Sequence, residues 1–206
     1  MRRGPSCRLR SAAAHTAGDY PGWMQRIRLL APALAILAGL AATFDADRPL
    51  TVLVECDTGG GRCGVQSPEA ALTLARQIAA APGLRLGGLM TYPAPATAAQ
   101  VETFLSTARD LLTAEGLPCP VITVGGSPDF FKAGEIPCAT EHRAGTYVYN
   151  DRAMVRAGHA TQADCAMHVL TTVVSRPTED RAVIDAGSKA LTSDLLGFDD
   201  FGMIDG

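Results

Sequence analysis

The stretch that decides the fold spans residues 49–69 and reads PLTVLVECDTGGGRCGVQSPE. Residues 49–55 form a short β-branched run bounded by turn-forming residues, which predicts a fully buried strand of the kind found in parallel sheets. A glycine-rich turn follows over residues 56–65. Ser67, Pro68 and Glu69 then supply an N-cap, a proline at the first helical position and a carboxylate at the positive helix end. The stretch therefore predicts a strand, a glycine turn and a helix in succession.

The same order of elements repeats along the next part of the chain. Strands are predicted over residues 84–92, 119–124 and 136–140, a long helix over residues 96–116, and a short helix from Pro128. Strands that alternate with helices are typical of βαβ units, so we expect an α/β protein with a mainly parallel sheet.

The pattern changes after about residue 164. Two β-rich runs, residues 165–176 and 181–187, are joined by the turn formers of residues 177–180, with no helix between them. Such a pair predicts an antiparallel hairpin, which we interpret as the start of a β domain.

The amino-terminal region differs from the rest of the chain. Residues 1–28 show no hydrophobic periodicity, and residues 29–44 form an uncharged run rich in alanine and leucine. The run is shorter than the roughly 18–20 apolar residues of a membrane-spanning helix. Its length suits a signal-peptide core, although the basic region before it is unusually long. Three alternatives therefore stay open for it: a membrane anchor, a signal sequence, or a buried helix of the α/β fold, which we favour because its residues are strong helix formers.

The composition of the 206-residue chain limits the classes of function. Apolar residues make up 47%, enough for a core, and the net charge is −3 with only 5% aromatic residues. Such a chain is not expected to bind nucleic acid. Its six cysteines include no C-x-x-C pair, so we interpret them as free thiols of a cytoplasmic protein.

The residues that follow each strand are the candidates for a site, because active sites of parallel α/β proteins collect at the carboxyl ends of the strands. Glycine turns beside a helix start present backbone N–H groups that bind anions. Two glycine turns and two arginines at one edge of the sheet indicate a phosphorylated ligand. The candidate binding residues are Arg62, Tyr92, Gly125, Gly126, Ser127, Arg143, Gly145 and Thr146.

Five ordered motifs resemble one known family. VLVECDTGGGRCGV, residues 52–65, resembles the D-T-G-M-G-R-x-G-V segment of the alanine racemase-type (fold type III) pyridoxal-phosphate enzymes, in particular of their D-threonine aldolase and D-serine dehydratase-like group. The other motifs are GLMTYPAP, VITVGGSPD, TEHRAGTYVYND and VLTTVVSRPTEDRAVIDAGSKALTSD. The resemblance implies a partial (β/α) barrel of the alanine racemase N-terminal type over residues 48–163. It further implies the start of a carboxyl-terminal β domain over residues 164–206, after an atypical segment with an apolar helix at residues 1–47.

The resemblance also implies a role for each candidate residue toward pyridoxal phosphate. Arg143 would face the pyridine nitrogen, Arg62 would lie near the phenolic oxygen, and Tyr92 would lie beside the ring. The phosphate group would be bound by Gly125, Gly126 and Ser127, together with the amides of Gly145 and Thr146.

Two parts of the family pattern are missing. The family's Schiff-base lysine lies in an R-P-H-x-K-T-H-K-like segment of the first barrel strand, and neither of the two lysines, Lys132 and Lys189, matches it. The divalent metal of the aldolase and dehydratase group is held by a P-N-H-x-C-like segment, which the sequence does not contain. No catalytic residue and no metal ligand is therefore assigned.

We therefore expect a fragment or degenerate member of the family, shortened at both ends and inactive alone, with weakened cofactor binding. The parent reaction would cleave D-threonine-like 3-hydroxy amino acids to glycine and an aldehyde. Alternatives are a relative of amino-acid racemases, a relative of D-serine dehydratase, or a non-enzymatic pyridoxal-phosphate-binding protein. The expected partners are a D-amino-acid substrate in the parent family and a second copy in a family-type homodimer, without a membrane.

Overall fold

A parallel sheet of four strands forms the centre of the fold in the computed structural model, which describes residues 8–10 and 30–204. The strands lie in chain order and every neighbouring pair is parallel. They are β2 (Leu50–Glu55), β3 (Leu84–Met90), β4 (Val121–Gly125) and β5 (Glu141–Arg143), numbered after a short β1 (Arg8–Arg10). The helices before and between them are α1 (Leu30–Thr43), α2 (Pro68–Ala80), α3 (Ala98–Ala114) and a 3₁₀ helix, Ser127–Glu135.

Helix α2 begins as its sequence predicts. The Ser67 side chain caps the helix by accepting the N–H of Ala70 at 3.2 Å, and Pro68 occupies the first turn, where its missing N–H costs nothing. Glu69 lies in the same turn, at the positive end of the helix dipole. These local signals fix where the chain turns from the glycine loop into the helix layer.

The core lies between the sheet and helices α2 and α3. Each helix turns one apolar face inward, and the sheet supplies Val54, Leu89, Ile122 and Val124, all at most 2% exposed. The buried residues of α2 are Ala71, Leu72, Leu74, Ala75 and Ile78, and those of α3 are Val101, Leu105, Ala108 and Leu112. This packing holds the carboxyl ends of the strands at one edge, where the candidate site lies.

Helix α1, Leu30–Thr43, is the part of the apolar run that the structure describes. Leu37, Leu40 and Ala41 pack against the core, while Ile36 is 64% exposed. The favoured alternative, a buried helix of the α/β fold, correctly predicts a helix, but its residues 35–43 are half-buried or exposed rather than buried. Within the part of the chain that the structure describes, no helix combines the length and the apolar character needed to cross a membrane.

The fourth strand lies further along the chain than predicted. Residues 136–140, the predicted strand, form a turn after the 3₁₀ helix, and β5 pairs with β4 only over Glu141–Arg143. Pro137 has no N–H for a ladder, and the N–H of Cys138 is bound by Glu102 Oε2 at 3.0 Å. The apolar pattern alone was therefore misleading here.

The described residues divide into two compact units, one within residues 19–145 and one within residues 1–18 and 146–206. In the second unit β1 pairs antiparallel with β8 (Asp200–Met203), and β6 (Val173–Thr178) pairs antiparallel with β7 (Arg181–Ile184). The unit also contains α4 (Arg152–Arg156) and two short 3₁₀ turns, Thr146–Val148 and Gln162–Asp164. The predicted hairpin is confirmed, although its first strand begins at Val173 rather than at residue 165.

One contact set anchors the end of the second unit. Arg152 forms an ion pair with Asp200, which is only 3% exposed, and Arg152 and Arg156 lie over the ring of Phe198 at 4.3 and 4.0 Å from its centroid. The predicted α/β class, with a parallel sheet followed by the start of an antiparallel β region, is confirmed.

Candidate functional site

The glycine turn after β2 is organised by one carboxylate. Asp57 Oδ1 accepts the N–H groups of Gly59 and Gly61, each at 3.0 Å, and Asp57 Oδ2 accepts Gln66 Nε2 at 3.0 Å. Partial burial raises the pKa of Asp57, but the hydrogen bonds from Gln66 and from the glycine amides outweigh it and leave the pKa below its usual value. The turn is therefore held by an ionised side chain.

This turn carries Arg62 to the ring of Tyr92. The guanidinium carbon of Arg62 lies 5.3 Å from the Tyr92 ring centroid, within the range of a cation–π contact. Tyr92 follows β3 and is 48% exposed. The structure thus brings together two candidate residues that stand thirty positions apart in the sequence.

Buried threonines join the ends of β2 and β3. The Thr91 hydroxyl donates to the carbonyl of Cys56 at 2.7 Å, and because that uses its only proton, the 2.9 Å contact with Thr58 is donated by Thr58. Thr58 and Thr91 are 1% and 0% exposed. A hydroxyl pair at this depth fixes the spacing of the two strand ends.

Arg143, at the end of β5, is tied to the same network. Its Nη1 donates to Thr123 Oγ1 at 2.6 Å and its Nη2 donates to the Thr91 carbonyl at 2.9 Å. A guanidinium cannot accept a hydrogen bond and stays protonated, so these two bonds place a fixed positive charge at the strand ends. The roles of Thr58, Thr91 and Thr123 were not predicted, since isolated threonines in or just after strands carry no sequence signal.

Gly125 makes the close approach of Arg143 and Tyr92 possible. A Cβ at this position would lie 3.0 Å from Arg143 Nη2 and 3.2 Å from Tyr92 Cδ2. Both distances are shorter than normal contacts of a carbon atom. A residue with a side chain would therefore push one of the two apart from the strand end.

The turn from β4 into the 3₁₀ helix, the predicted anion cradle, is built around Gly126 and Ser127. Gly126 has φ +111°, a conformation that favours glycine, and the space where its Cβ would stand is open to at least 4 Å. Ser127 opens the helix and is 4% exposed, and its Oγ accepts the N–H of Gly145 at 3.1 Å. Backbone amides and a hydroxyl at a helix start form the arrangement that binds phosphate groups.

Seven of the eight candidate residues lie in the unit of residues 19–145: Arg62, Tyr92, Gly125, Gly126, Ser127, Arg143 and Gly145. Thr146 begins the other unit, so its role toward a phosphate stays a prediction. Lys189 also belongs to that unit.

Lys132 lies on the 3₁₀ helix and lines a shallow cleft together with Val101, Ile136 and His142. Gly125 also lines this cleft, whereas Arg143 does not. This cleft lies between the 3₁₀ helix and α3. Within the described part of the chain, no group of three or more His, Cys, Asp or Glu side chains could hold a metal ion.

Comparisons with known proteins agree with this architecture. Residues 19–153 match the family described as alanine racemase, N-terminal domain, and residues 166–205 match the putative serine dehydratase domain. D-threo-3-hydroxyaspartate dehydratase of Delftia sp. (strain HT23) is 32% identical over 182 residues, which cover 82% of this chain and 48% of that protein. D-threonine aldolase of Arthrobacter sp. is 32% identical over 168 residues, covering 74% of this chain and 44% of that protein.

Solved structures give the same result. The Delftia dehydratase superposes with a TM-score of 0.67 at 33% identity, over 81% of this chain and 46% of that one. D-threonine aldolase from Filomicrobium marinum superposes with a TM-score of 0.59 at 30% identity, over 69% of this chain and 43% of that one. The chain spans about half the length of the curated relatives that it matches.

The alanine racemase family model matches about two thirds of the chain. The predicted resemblance to the D-threonine aldolase and D-serine dehydratase-like group is confirmed by the aldolase and dehydratase relatives. The chain therefore belongs to the family of the alanine racemase N-terminal domain.

Proposed function

We propose that this chain binds pyridoxal phosphate at the carboxyl ends of β4 and β5. The observation that carries the proposal is Arg143, whose guanidinium is held by Thr123 and Thr91 beside the Gly126–Ser127 turn. A planar cation and an anion cradle next to each other match a ligand with an aromatic ring and a phosphate group.

The residues at the strand ends fit the phosphate end and the ring of this cofactor. The Gly126 and Ser127 turn, with the amide of Gly145, would hold the phosphate, because it combines a buried hydroxyl, a glycine conformation and open space. Tyr92, whose own ring is covered by Arg62, would lie against the pyridine ring of the cofactor on the side of the glycine turn. Arg143 would place its charge at the pyridine nitrogen and, as a permanent cation, would disfavour protonation of that nitrogen.

The aldehyde end of the cofactor finds no matching lysine. Neither Lys132 nor Lys189 lies in a segment that resembles the family's lysine segment, and Lys132 lines the cleft between the 3₁₀ helix and α3. Bound pyridoxal phosphate supplies an electron-withdrawing ring to an amino group that is bonded to it, which needs a suitably placed amine. We therefore propose that the chain by itself binds the cofactor without turnover, as a non-enzymatic binding protein does.

The parent reaction is proposed from the relatives. D-threonine, D-threo-3-hydroxyaspartate and 3-hydroxy-D-aspartate, the compounds in the relatives' names, are all D-amino acids with a hydroxyl on carbon 3. We place the parent activity among cleavage or dehydration reactions of this class, with glycine and an aldehyde as the products of cleavage.

Binding is tested by titrating the full chain with pyridoxal phosphate and, in parallel, with pyridoxal, which lacks the phosphate. We expect pyridoxal phosphate to bind at least about ten times more tightly, which corresponds to ~1.4 kcal/mol. Ser127→Ala should remove most of that difference. Ser106→Ala is the matched control, because Ser106 is half-buried on α3 and its hydroxyl donates only to the Thr103 carbonyl of the same helix among the described bonds. Equal affinity of the unaltered chain for both compounds would refute the proposal.

The absence of turnover has its own test. The chain is incubated with pyridoxal phosphate, reduced with borohydride and digested, and the peptides that contain Lys132 and Lys189 are weighed. We expect neither lysine to carry a stoichiometric pyridoxyl group, and no aldehyde release from D-threonine with a divalent metal present. A stoichiometric label on one lysine together with aldehyde release would contradict the proposal.

A further inference from the structure

The strand β5 presents two neighbouring side chains to opposite sides of the sheet, as successive strand residues do. Arg143 points to the strand-end network, where it binds Thr123 and Thr91. His142 instead lines the cleft with Val101 and Ile136, behind the anion cradle. It lies in the TEHRAGTYVYND motif but has no assigned role toward the cofactor.

His142 makes one directed bond, and that bond goes to the cradle. Its Nε2 lies 2.9 Å from the Gly126 carbonyl oxygen. A carbonyl oxygen can only accept, so Nε2 carries the proton and donates it. Nδ1 is buried and makes no hydrogen bond within the described structure, and the ring edge lies against Phe130 with the centroids 5.9 Å apart. The imidazole thus packs between the 3₁₀ helix and the glycine turn, and its one hydrogen bond within the described structure goes to the Gly126 carbonyl.

Strand β5, which carries His142, also binds the backbone N–H of Gly126. The Gly126 N–H donates to the Arg143 carbonyl at 3.3 Å, while its carbonyl accepts from His142. Gly126 has the positive φ of +111°, and a glycine in the absence of both bonds could rotate into many other conformations. The orientation of the next peptide, which starts the helix at Ser127, follows from these two bonds.

We propose that His142 is a positioning residue that fixes the Gly126 peptide from the helix side and so orients Ser127 for a phosphate group. The inference rests on the proposed function, because the phosphate belongs to the proposed cofactor. In this arrangement His142 would contact neither the pyridine ring nor the phosphate group of the cofactor. It would act through Gly126. Its effect should therefore be confined to the phosphate end of the ligand.

Two variants separate the hydrogen bond from the volume of the side chain. His142→Leu fills much of the same space without a donor, and His142→Gln restores an N–H donor. We expect His142→Leu to weaken binding of pyridoxal phosphate about tenfold, the factor that loss of one buried hydrogen bond gives, and to leave pyridoxal binding unchanged. His142→Gln should recover most of the loss. Phe130→Leu, which removes the ring contact but not the donor, is the matched control.

A second readout needs no cofactor. Hydrogen exchange at the amides of Gly126, Ser127 and Gly145 should become faster in His142→Leu relative to the core amides of α2 and α3, and slow again in His142→Gln. Unchanged exchange in His142→Leu would overturn the inference, as would an equal loss of affinity for pyridoxal and pyridoxal phosphate. Failure of the unaltered chain to prefer pyridoxal phosphate overturns instead the proposed function, so the two failures are distinguishable.

Discussion

Arg143 Nη1 donates a hydrogen bond of 2.6 Å to Thr123 Oγ1, across neighbouring strands β5 and β4. The Thr123 side chain is buried at 3% exposure, whereas Arg143 is exposed at the strand ends. The buried Thr123 hydroxyl therefore helps to fix the position of the exposed Arg143 guanidinium. Removing that hydroxyl would release the guanidinium from its position while keeping its charge.

Thr123→Val tests this relationship, since valine keeps the shape of threonine and loses the acceptor. We expect the free energy of unfolding to fall by about 1 kcal/mol, because Arg143 can still reach water with the released N–H. Pyridoxal-phosphate affinity should fall as the guanidinium loses its fixed place. Urea unfolding and ligand titration measure the two effects.

Thr123→Ser should restore most of both losses, because it returns the hydroxyl. Thr113→Val on α3 serves as the control, since the Thr113 hydroxyl bonds only the Arg109 carbonyl of its own helix. Ligand affinity of Thr123→Val equal to that of the unaltered chain would rule out a role for Thr123 in placing Arg143.

Gly125→Ala tests the close approach at the end of β4. The added Cβ would stand 3.0 Å from Arg143 Nη2 and 3.2 Å from Tyr92 Cδ2, so one of the two must move. We expect a loss of stability of about 1–3 kcal/mol, the usual cost of overpacking, and weaker binding of pyridoxal phosphate. Gly134→Ala is the control, because nothing lies within 4 Å of its added carbon. Equal behaviour of the two variants in thermal unfolding would contradict the packing argument.

Asp57→Asn tests the charge that holds the glycine turn. The pKa of Asp57 is lowered in the folded chain, so the unfolded state binds the proton more readily. The stabilisation is therefore complete above the unfolded value of about 3.8 and is lost as the pH falls through the lower folded value. The variant should lack this part of the pH dependence.

The measurement compares urea unfolding of both proteins between pH 2 and pH 6. Their free energies of unfolding should converge toward acid pH and diverge above about pH 4, with the unaltered protein more stable. The asparagine can still accept from the glycine amides, but its NH₂ would face Gln66 Nε2, a second donor. A constant difference across the whole range would show that the charge of Asp57 does not contribute.

The pKa values of the cysteine thiols predict which of them react with alkylating reagents. Burial, with smaller contributions from Cys119 and Glu55, raises the pKa of Cys56 to about 12. Burial, together with a hydrogen bond that the thiol donates to the Glu102 carboxylate, raises the pKa of Cys138 to about 12. Both should remain unlabelled by iodoacetamide at pH 8 in the native chain, and both should react after unfolding in urea. Peptide mass spectrometry reads each site, and rapid native labelling of Cys56 would contradict its burial.

Cys63 gives a sharper comparison, because its Sγ donates to Glu55 Oε1 at 3.1 Å and this bond raises its pKa. Glu55→Gln should accelerate the labelling of Cys63, since the neighbouring negative charge that disfavours the thiolate is removed. Cys165, which belongs to the other unit, should keep its rate. An unchanged Cys63 rate would show that Glu55 does not control the thiol.

The sequence by itself determined the elements whose signals are local. The β-branched run before Cys56, the N-cap at Ser67 and the apolar face of α3 each lie within a few residues, and the helices and the first three sheet strands form where these signals predict. The candidate site residues could also be identified from the sequence, because glycine turns and arginines that follow strands lie at one edge of a parallel sheet. The position of β5 was predicted wrongly, because the apolar pattern of residues 136–140 does not reveal that Pro137 lacks an N–H or that the Cys138 N–H donates to Glu102.

Only the tertiary structure decided what holds those residues in place. Arg143 is bound by groups 20 and 52 positions earlier in the chain, and Thr58 meets Thr91 across 33 positions. It also placed Lys132 in one cleft with His142. Such pairings depend on strand order and register, which arise from packing over the whole sheet, whereas propensity and periodicity act over a few residues. Residue types at strand ends can therefore be predicted from sequence, but their hydrogen-bond partners require the folded chain.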